Sequence, residues 1–393
     1  VRRLLVLQVA ALGESAGFHS LETVFPAVTC TVQASFRTAS PPSAHGVVSN
    51  GLFFRDLRKV MFWEQAASLV KGKRIWDGFR GGVGMMFWQQ SLGESVDLVL
   101  SPAPIHKHGG GMFQDCYCKP AGLYQKLCET IGRPFDLLNY WGPLANRKSS
   151  DWILAATLEV MESEAAPGLL FSYLPHLDYD LQRYGPDSAP GRRALDVVGG
   201  YLDRVEKHAV EHGYDFVIFG DYAIEPVTRP VIFPNRRLRE RGLFASRTVG
   251  GRTYPDFYSS KAFAVADHQI ARVYGAVEEA KKALRDLPGV ETLLDDGEDI
   301  ILIAEEGAWF AYPWWDDEKP PDFASHVDIH NKPGYDPCEL FFGWPGVSSD
   351  VTRLRGTHGR PGKKTAWKTS VAFPSKPGTL LELAAAVRDH LEK

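Results

Sequence analysis

Apolar and polar positions alternate between two regimes along this chain. Residues 3–12 are an almost unbroken apolar run, which predicts a strand covered on both faces. Similar runs at 168–174 and 215–220 enclose a segment, 192–212, whose apolar residues recur at helical spacing. Strand, long helix and strand in that order predict a parallel crossover unit. Each strand is followed by an acid, Asp178 after the first and Asp221 directly after the second. Open α/β sheets bind ligands at the carboxyl ends of their strands, so the two acids are expected on one edge.

The rest of the pattern is mixed. Pro26 and the Ser40-Pro41-Pro42 stop bound a short buried helix over 31–38, with Thr29 or Thr31 as its cap. Helices are predicted over 53–70, 120–131, 149–164, 276–287 and 379–391, and strands at 263–266, 272–274, 290–294 and 300–304. Residues 71–119 carry no clean period. The expected fold class is α/β: a largely parallel sheet with helices on both faces. Residues 1–235 and 323–393 would form the core, and 236–322 a smaller α/β insertion.

Composition narrows the function classes. With 393 residues the chain can bury a full core, and a net charge of −4 draws it to neither nucleic-acid polymers nor anionic membranes. No apolar run reaches the length of a membrane span. The two arginines before the first apolar run imitate a signal peptide, but the run reads better as the first strand. The five cysteines, at 30, 116, 118, 128 and 338, form no Cys-x-x-Cys pair, so a reducing, cytoplasmic compartment is expected.

The chemistry concentrates at residues 21–51. A hydroxyl at the start of the predicted helix would face the free N–H groups and positive dipole end of its first turn, a setting that suits a phosphoryl group. Thr29 is followed by Thr38 nine residues on, His45-Gly46 sixteen on and Asn50 twenty-one on. This register resembles the nucleophile segment of the nucleotide pyrophosphatase/phosphodiesterase branch of the alkaline phosphatase superfamily. The resemblance implies an alkaline-phosphatase-like core, Thr29 as nucleophile and Asn50 as a donor to a phosphoryl oxygen. His45 would hold the loop.

The same family implies a site for one or two divalent cations, zinc first, with manganese, magnesium or iron compatible with mixed ligands. Asp178, Asp221 and His358-Gly359 match its ligand positions. Where the family has histidines, this chain has Gln182, four residues after Asp178, and Tyr222, next to Asp221. No acid follows the first strand before Glu14. Asp328 and His330 are candidate replacement ligands; His176 and Asp267-His268 are weaker ones. Chain-wide, the likeness points to a divergent bacterial-type subfamily. The implied activity is metal-dependent hydrolysis of phosphodiester or pyrophosphate bonds in a small phosphorylated substrate, through a phospho-threonine on Thr29. The alternatives are a phosphomonoesterase for a prenyl or sugar phosphate, and a catalytically weak binding or scaffold protein. Trp63, Trp76, Trp88 and Trp141 are candidate stacking residues. The basic stretch from Arg55 to Arg74 is a candidate leaving-group wall, and 105–111 a candidate lid.

Overall fold

Three strands in level parallel pairing set the architecture. In this computed structural model β1 (Arg3–Val9) lies in the middle of an eight-stranded sheet. The structure describes residues 3–316, 318–326, 341–343, 346–348 and 350–393. The sheet's other strands are β2 (His19–Glu22), β3 (Val83–Met86), β4 (Leu98–Pro102), β5 (Cys116–Lys119), β6 (Leu169–Leu174), β7 (Tyr214–Gly220) and, near the end of the chain, Lys364–Thr369. β1 pairs in parallel with β6 and β7 on its two sides, and Val9 sits opposite both Leu174 and Gly220. The three carboxyl ends are therefore level, and the segments leaving these strands meet at one edge of the sheet. β3 and β4 extend the parallel part; the outer strands are antiparallel.

β1 and β6 are buried on both faces, as their unbroken apolar sequences demand. Helix α1 (Thr29–Thr38) is itself buried from Thr29 to Arg37 and serves two cores. Val32 and Phe36 pack into the main-sheet core, where Phe36 stacks on Phe219 at 4.6 Å. Cys30 and Ala34 join a second core. Positions two apart lie on opposite faces of a helix, so these alternate residues address opposite neighbours. Arg37 closes the buried end by donating to the carbonyls of Gln89 and Gln90. Loss of Phe36 would cost about 3–5 kcal/mol, the usual effect of removing a large core aromatic.

The second core is centred on a four-stranded sheet that differs from the expected α/β alternation. Ala262–Asp267, Ile270–Gly275, Val290–Asp296 and Asp299–Ala304 are antiparallel throughout, with one helix, Val277–Leu284, on the connection. Residues 53–70 do not form the predicted helix. Gly51–Phe54 and Lys59–Phe62 pair as an antiparallel hairpin that turns at Arg58, φ 52°. Its apolar residues come in two clusters of consecutive positions rather than at helical spacing, and Phe53 packs on Phe263 at 4.9 Å. Residues 105–113 form a small exposed hairpin that stands apart from the cavity at the strand ends. Among the described residues no helix is long and apolar enough to cross a membrane.

Candidate active site

The level strand ends assemble a cavity of about 80 Å³. Helix α1 opens into it with Thr29 at its first position. Val28, in extended backbone, is the N-cap, and its own side chain makes no capping bond. The threonine cap expected from sequence is thus absent: Thr29 already lies within the helix, and its hydroxyl turns to Asp221 Oδ2 at 3.3 Å. The Cys30 N–H is met by Asn50 Oδ1 at 3.0 Å. Asn50 is in turn held by Asp267, which accepts its N–H at 2.8 Å and its side-chain amide at 3.1 Å. Ser49 donates to the same carboxylate at 2.7 Å. Asp267 is therefore the residue that orients Asn50.

Asp221 comes directly after β7. Its Oδ1 accepts the N–H groups of Ala11 and Tyr222, both at 2.9 Å, and its Oδ2 accepts the Gln8 amide at 2.8 Å. Gly220 permits this closeness, since a Cβ there would lie 2.0 Å from the Leu12 carbonyl. Burial, opposed by these donors, pushes the Asp221 carboxyl up to about 7.

Asp178 is not at a strand end but in the first turn of the helix His176–Tyr184, just beyond β6. Gln182, one turn later, donates to both its oxygens, at 2.9 and 2.8 Å. The Tyr222 hydroxyl donates to Asp178 Oδ1 at 3.0 Å. The Tyr222 ring stacks flat on His358, with centroids 3.5 Å apart, and His268 lies against the same imidazole at 4.0 Å. His358 shares a hydrogen bond between Nδ1 and the Ala27 carbonyl at 2.9 Å, and its buried Nε2 has no partner among the described residues. Burial, with His268 second, holds its pKa well below the ordinary imidazole value.

Thr29, Asn50, Asp178, Asp221 and His358 belong to one site: Thr29, Asn50, Asp178 and His358 line the cavity, and Asp221 backs it through its bond to Thr29. Asp328 and His330 lie outside the described residues. His176 does not line the cavity, whereas His268 does. Of the four tryptophans, Trp63 and Trp141 form walls and Trp76 and Trp88 are core. Arg55 turns away to pair with Asp299 at 2.5 Å. Sequence reasoning passed over Gln8 and Arg183. Gln8 is the single polar residue inside an apolar strand, and that was its available signal. Arg183 lines the cavity next to Gln182 and donates to the Pro143 carbonyl at 3.0 Å.

The profile of the type I phosphodiesterase / nucleotide pyrophosphatase family matches residues 10–336. The chain belongs to that family. It is accordingly a phosphoric-ester hydrolase by family and a member of the alkaline phosphatase superfamily. No curated protein matches it in sequence. Similar solved structures include phosphonoacetate hydrolase from Sinorhizobium meliloti 1021 in complex with phosphonoformate, at 13% identity and TM-score 0.64. That likeness covers 100% of this chain and 96% of the other. Human ectonucleotide pyrophosphatase / phosphodiesterase 5 aligns at 14% identity and TM-score 0.56, covering 100% and 95%. The murine form, inactivated by a threonine-to-alanine substitution and in complex with AMP, aligns at 13% identity and TM-score 0.57, over 100% and 95%. At these identities the likeness establishes the shared α/β fold.

The family uses divalent metals. His358 suits one, since its Nε2 is buried, without a partner among the described residues, and oriented by the bond at Nδ1. The remaining donors do not fit a cation pair. Gln182 turns its N–H₂ group, not its oxygen, toward Asp178, and Tyr222 directs its hydroxyl proton to the same carboxylate. Both side chains act as hydrogen-bond donors at positions where a cation would need lone pairs.

Proposed function

We propose that this chain hydrolyses a phosphodiester or pyrophosphate bond in a small substrate, with Thr29 as the nucleophile. The observation that carries the reading is the Thr29 hydroxyl at the start of α1, facing the cavity and donating to Asp221 Oδ2 at 3.3 Å. An unassisted threonine hydroxyl is a weak nucleophile, and an adjacent base supplies the activation. Thr29 Oγ1 attacks phosphorus, its proton passes to Asp221 Oδ2, and the bond from phosphorus to the leaving oxygen breaks. The leaving oxygen takes up a proton from solvent. Water then attacks the phospho-threonine and releases a proton to solvent, the bond from phosphorus to Thr29 Oγ1 breaks, and Oγ1 takes back the proton held on Asp221 Oδ2.

The phosphoryl oxygens have two anchors in this reading. The second hydrogen of the Asn50 amide, left over from Asp267, and those first-turn N–H groups of α1 that Asn50 does not already hold serve the equatorial positions. Arg183 supplies positive charge from the cavity wall. Trp63 and Trp141 give the leaving group flat apolar surfaces. The murine neighbour that a threonine-to-alanine change inactivates supports the nucleophile assignment. Metal dependence, which the sequence resemblance implies, is left out of this reading because the donors around Asp178 and Asp221 do not suit a cation pair. Cys116, Cys118 and Cys128 form no disulfide among the described residues, which supports a cytoplasmic setting.

A second reading has its own support. At least seven hydrogen bonds already occupy Asp178 and Asp221, which favours a binding protein of low turnover. The two separate on one assay. Bis-p-nitrophenyl phosphate and p-nitrophenyl phosphate are offered to wild type and Thr29→Ala, and quenched wild-type enzyme is searched by mass spectrometry for a phosphoryl group on Thr29. Turnover and adduct in wild type alone establish the hydrolase, and the preferred substrate distinguishes diester from monoester. Equal rates and no adduct establish the binding protein.

A further inference from the structure

A carboxylate offers about four acceptor positions in the plane of its two oxygens. Asp221 fills four: the Ala11 and Tyr222 N–H groups on Oδ1, the Gln8 amide and the Thr29 hydroxyl on Oδ2. Asp178 accepts the Gln182 amide on both oxygens and the Tyr222 hydroxyl on Oδ1. The Gln182 nitrogen is 2.9 and 2.8 Å from the two Asp178 oxygens, so it stands on the bisector of that carboxylate. A chelated cation would occupy the same line, about 2.0–2.2 Å from each oxygen, and would collide with the amide. Tyr222 cannot swing clear without breaking its flat stack on His358.

We infer that Gln182 and Tyr222 take the place of resident cations in this chain, and that protein donors alone stabilise Asp178 and Asp221. The site is a metal-independent variant of a family built around divalent ions. The donor arrangement stands whether or not Thr29 is a nucleophile, so its test reads metal rather than turnover.

One other group of residues needs control. Glu162, His208 and His212 bring their ligand atoms within 4.8 Å of one another. They lie at the carboxyl ends of the two helices that lead into β6 and β7, His212 as a C-cap, and so at the opposite sheet edge from the cavity. The full chain is expressed with zinc, manganese and iron in the medium and purified without chelator, as wild type and as His208→Gln/His212→Gln. Elemental analysis of the latter is expected to give less than about one-tenth of an ion per chain, because a true structural or catalytic site retains its ion through purification. Its melting midpoint should be the same in EDTA and in added zinc. One or more ions per chain that Asp178→Asn or Asp221→Asn removes would overturn the inference; ions that both variants leave in place lie elsewhere, and the inference stands. Gln182→His/Tyr222→His is expected to raise zinc retention at least tenfold. A folded double variant with wild-type metal content overturns the role given to these two side chains. If the double variant does not fold, the metal content of the first two proteins decides.

Discussion

Thr29 Oγ1 stands 3.3 Å from Asp221 Oδ2, although 192 residues separate them in the chain. Two independent pieces of secondary structure create the contact, the first turn of α1 and the level end of β7. Thr29→Ala removes the hydroxyl and leaves a smaller apolar side chain in a buried position. It should fold with a melting point close to that of wild type and lose at least about 10³-fold in kcat, the scale on which deletion of a nucleophile is felt. Thr29→Ser should recover part of the rate. Steady-state kinetics with thermal melts on the three proteins check this.

Asp221→Asn tests the partner. The amide keeps the shape but cannot accept a proton, and its N–H₂ group must face two of the four present donors. The expected loss is about 10²–10⁴-fold in kcat with KM nearly unchanged, the usual range for a general base. A large rise in KM with little change in kcat would instead mark Asp221 as a residue that merely shapes the cavity. Rates over a range of substrate concentration separate the two.

Much of this could be read from the chain before any coordinates. The runs at 3–12, 168–174 and 215–220 announced buried parallel strands because unbroken apolar sequence has few other uses in a polar chain. Thr29, Asn50, Asp178 and His358 do line one cavity, with Asp221 bonded to Thr29 behind it. What could not be read was pairing across distance. Asp267 appeared, with His268, only as a weaker candidate ligand, yet it binds Asn50, 217 residues away. Gln8 passed unnoticed within an apolar run. Gln182 and Tyr222 looked like lost ligands, and only their hydrogen-bond direction reveals donors. The helix expected at 53–70 failed because a hairpin with a buried apolar face and a short helix share the same local composition.

Asn50 and Asp267 should behave as one unit. Asp267→Ala leaves the Asn50 N–H, its side-chain amide and the Ser49 hydroxyl without their acceptor in a buried place. Unmet buried donors cost about 1–3 kcal/mol each, so stability should fall by that order. If Asp267 acts on substrate only by orienting Asn50, then once Asn50→Ala is in place Asp267→Ala should have little further effect on KM. A double-mutant cycle on KM and on denaturation midpoints is the measurement, and additive effects on KM would show that Asp267 acts on its own.

Stability should also carry a signature of His45, which the structure uses as a strut beneath the site. Its Nδ1 accepts the Val47 N–H at 3.1 Å, so Nε2 carries the proton and donates to Ser35 Oγ at 2.8 Å. Burial, then the charges of Arg37 and Arg74, hold its pKa down at about 4 against the ordinary 6.5. Above the unfolded value both states are neutral and the strut contributes in full. Between about 6.5 and 4 the unfolded chain binds a proton that the folded chain refuses, so stability falls as pH falls, with a slope of at most about 1.4 kcal/mol per pH unit. Below about 4 the folded imidazole protonates as well and this contribution to the slope ends. Denaturant midpoints at pH 7 and pH 5 should therefore differ more for wild type than for His45→Gln, which cannot take up the proton. An equal pH dependence in the two proteins would assign acid sensitivity to other groups and leave His45 a hydrogen-bonding role alone.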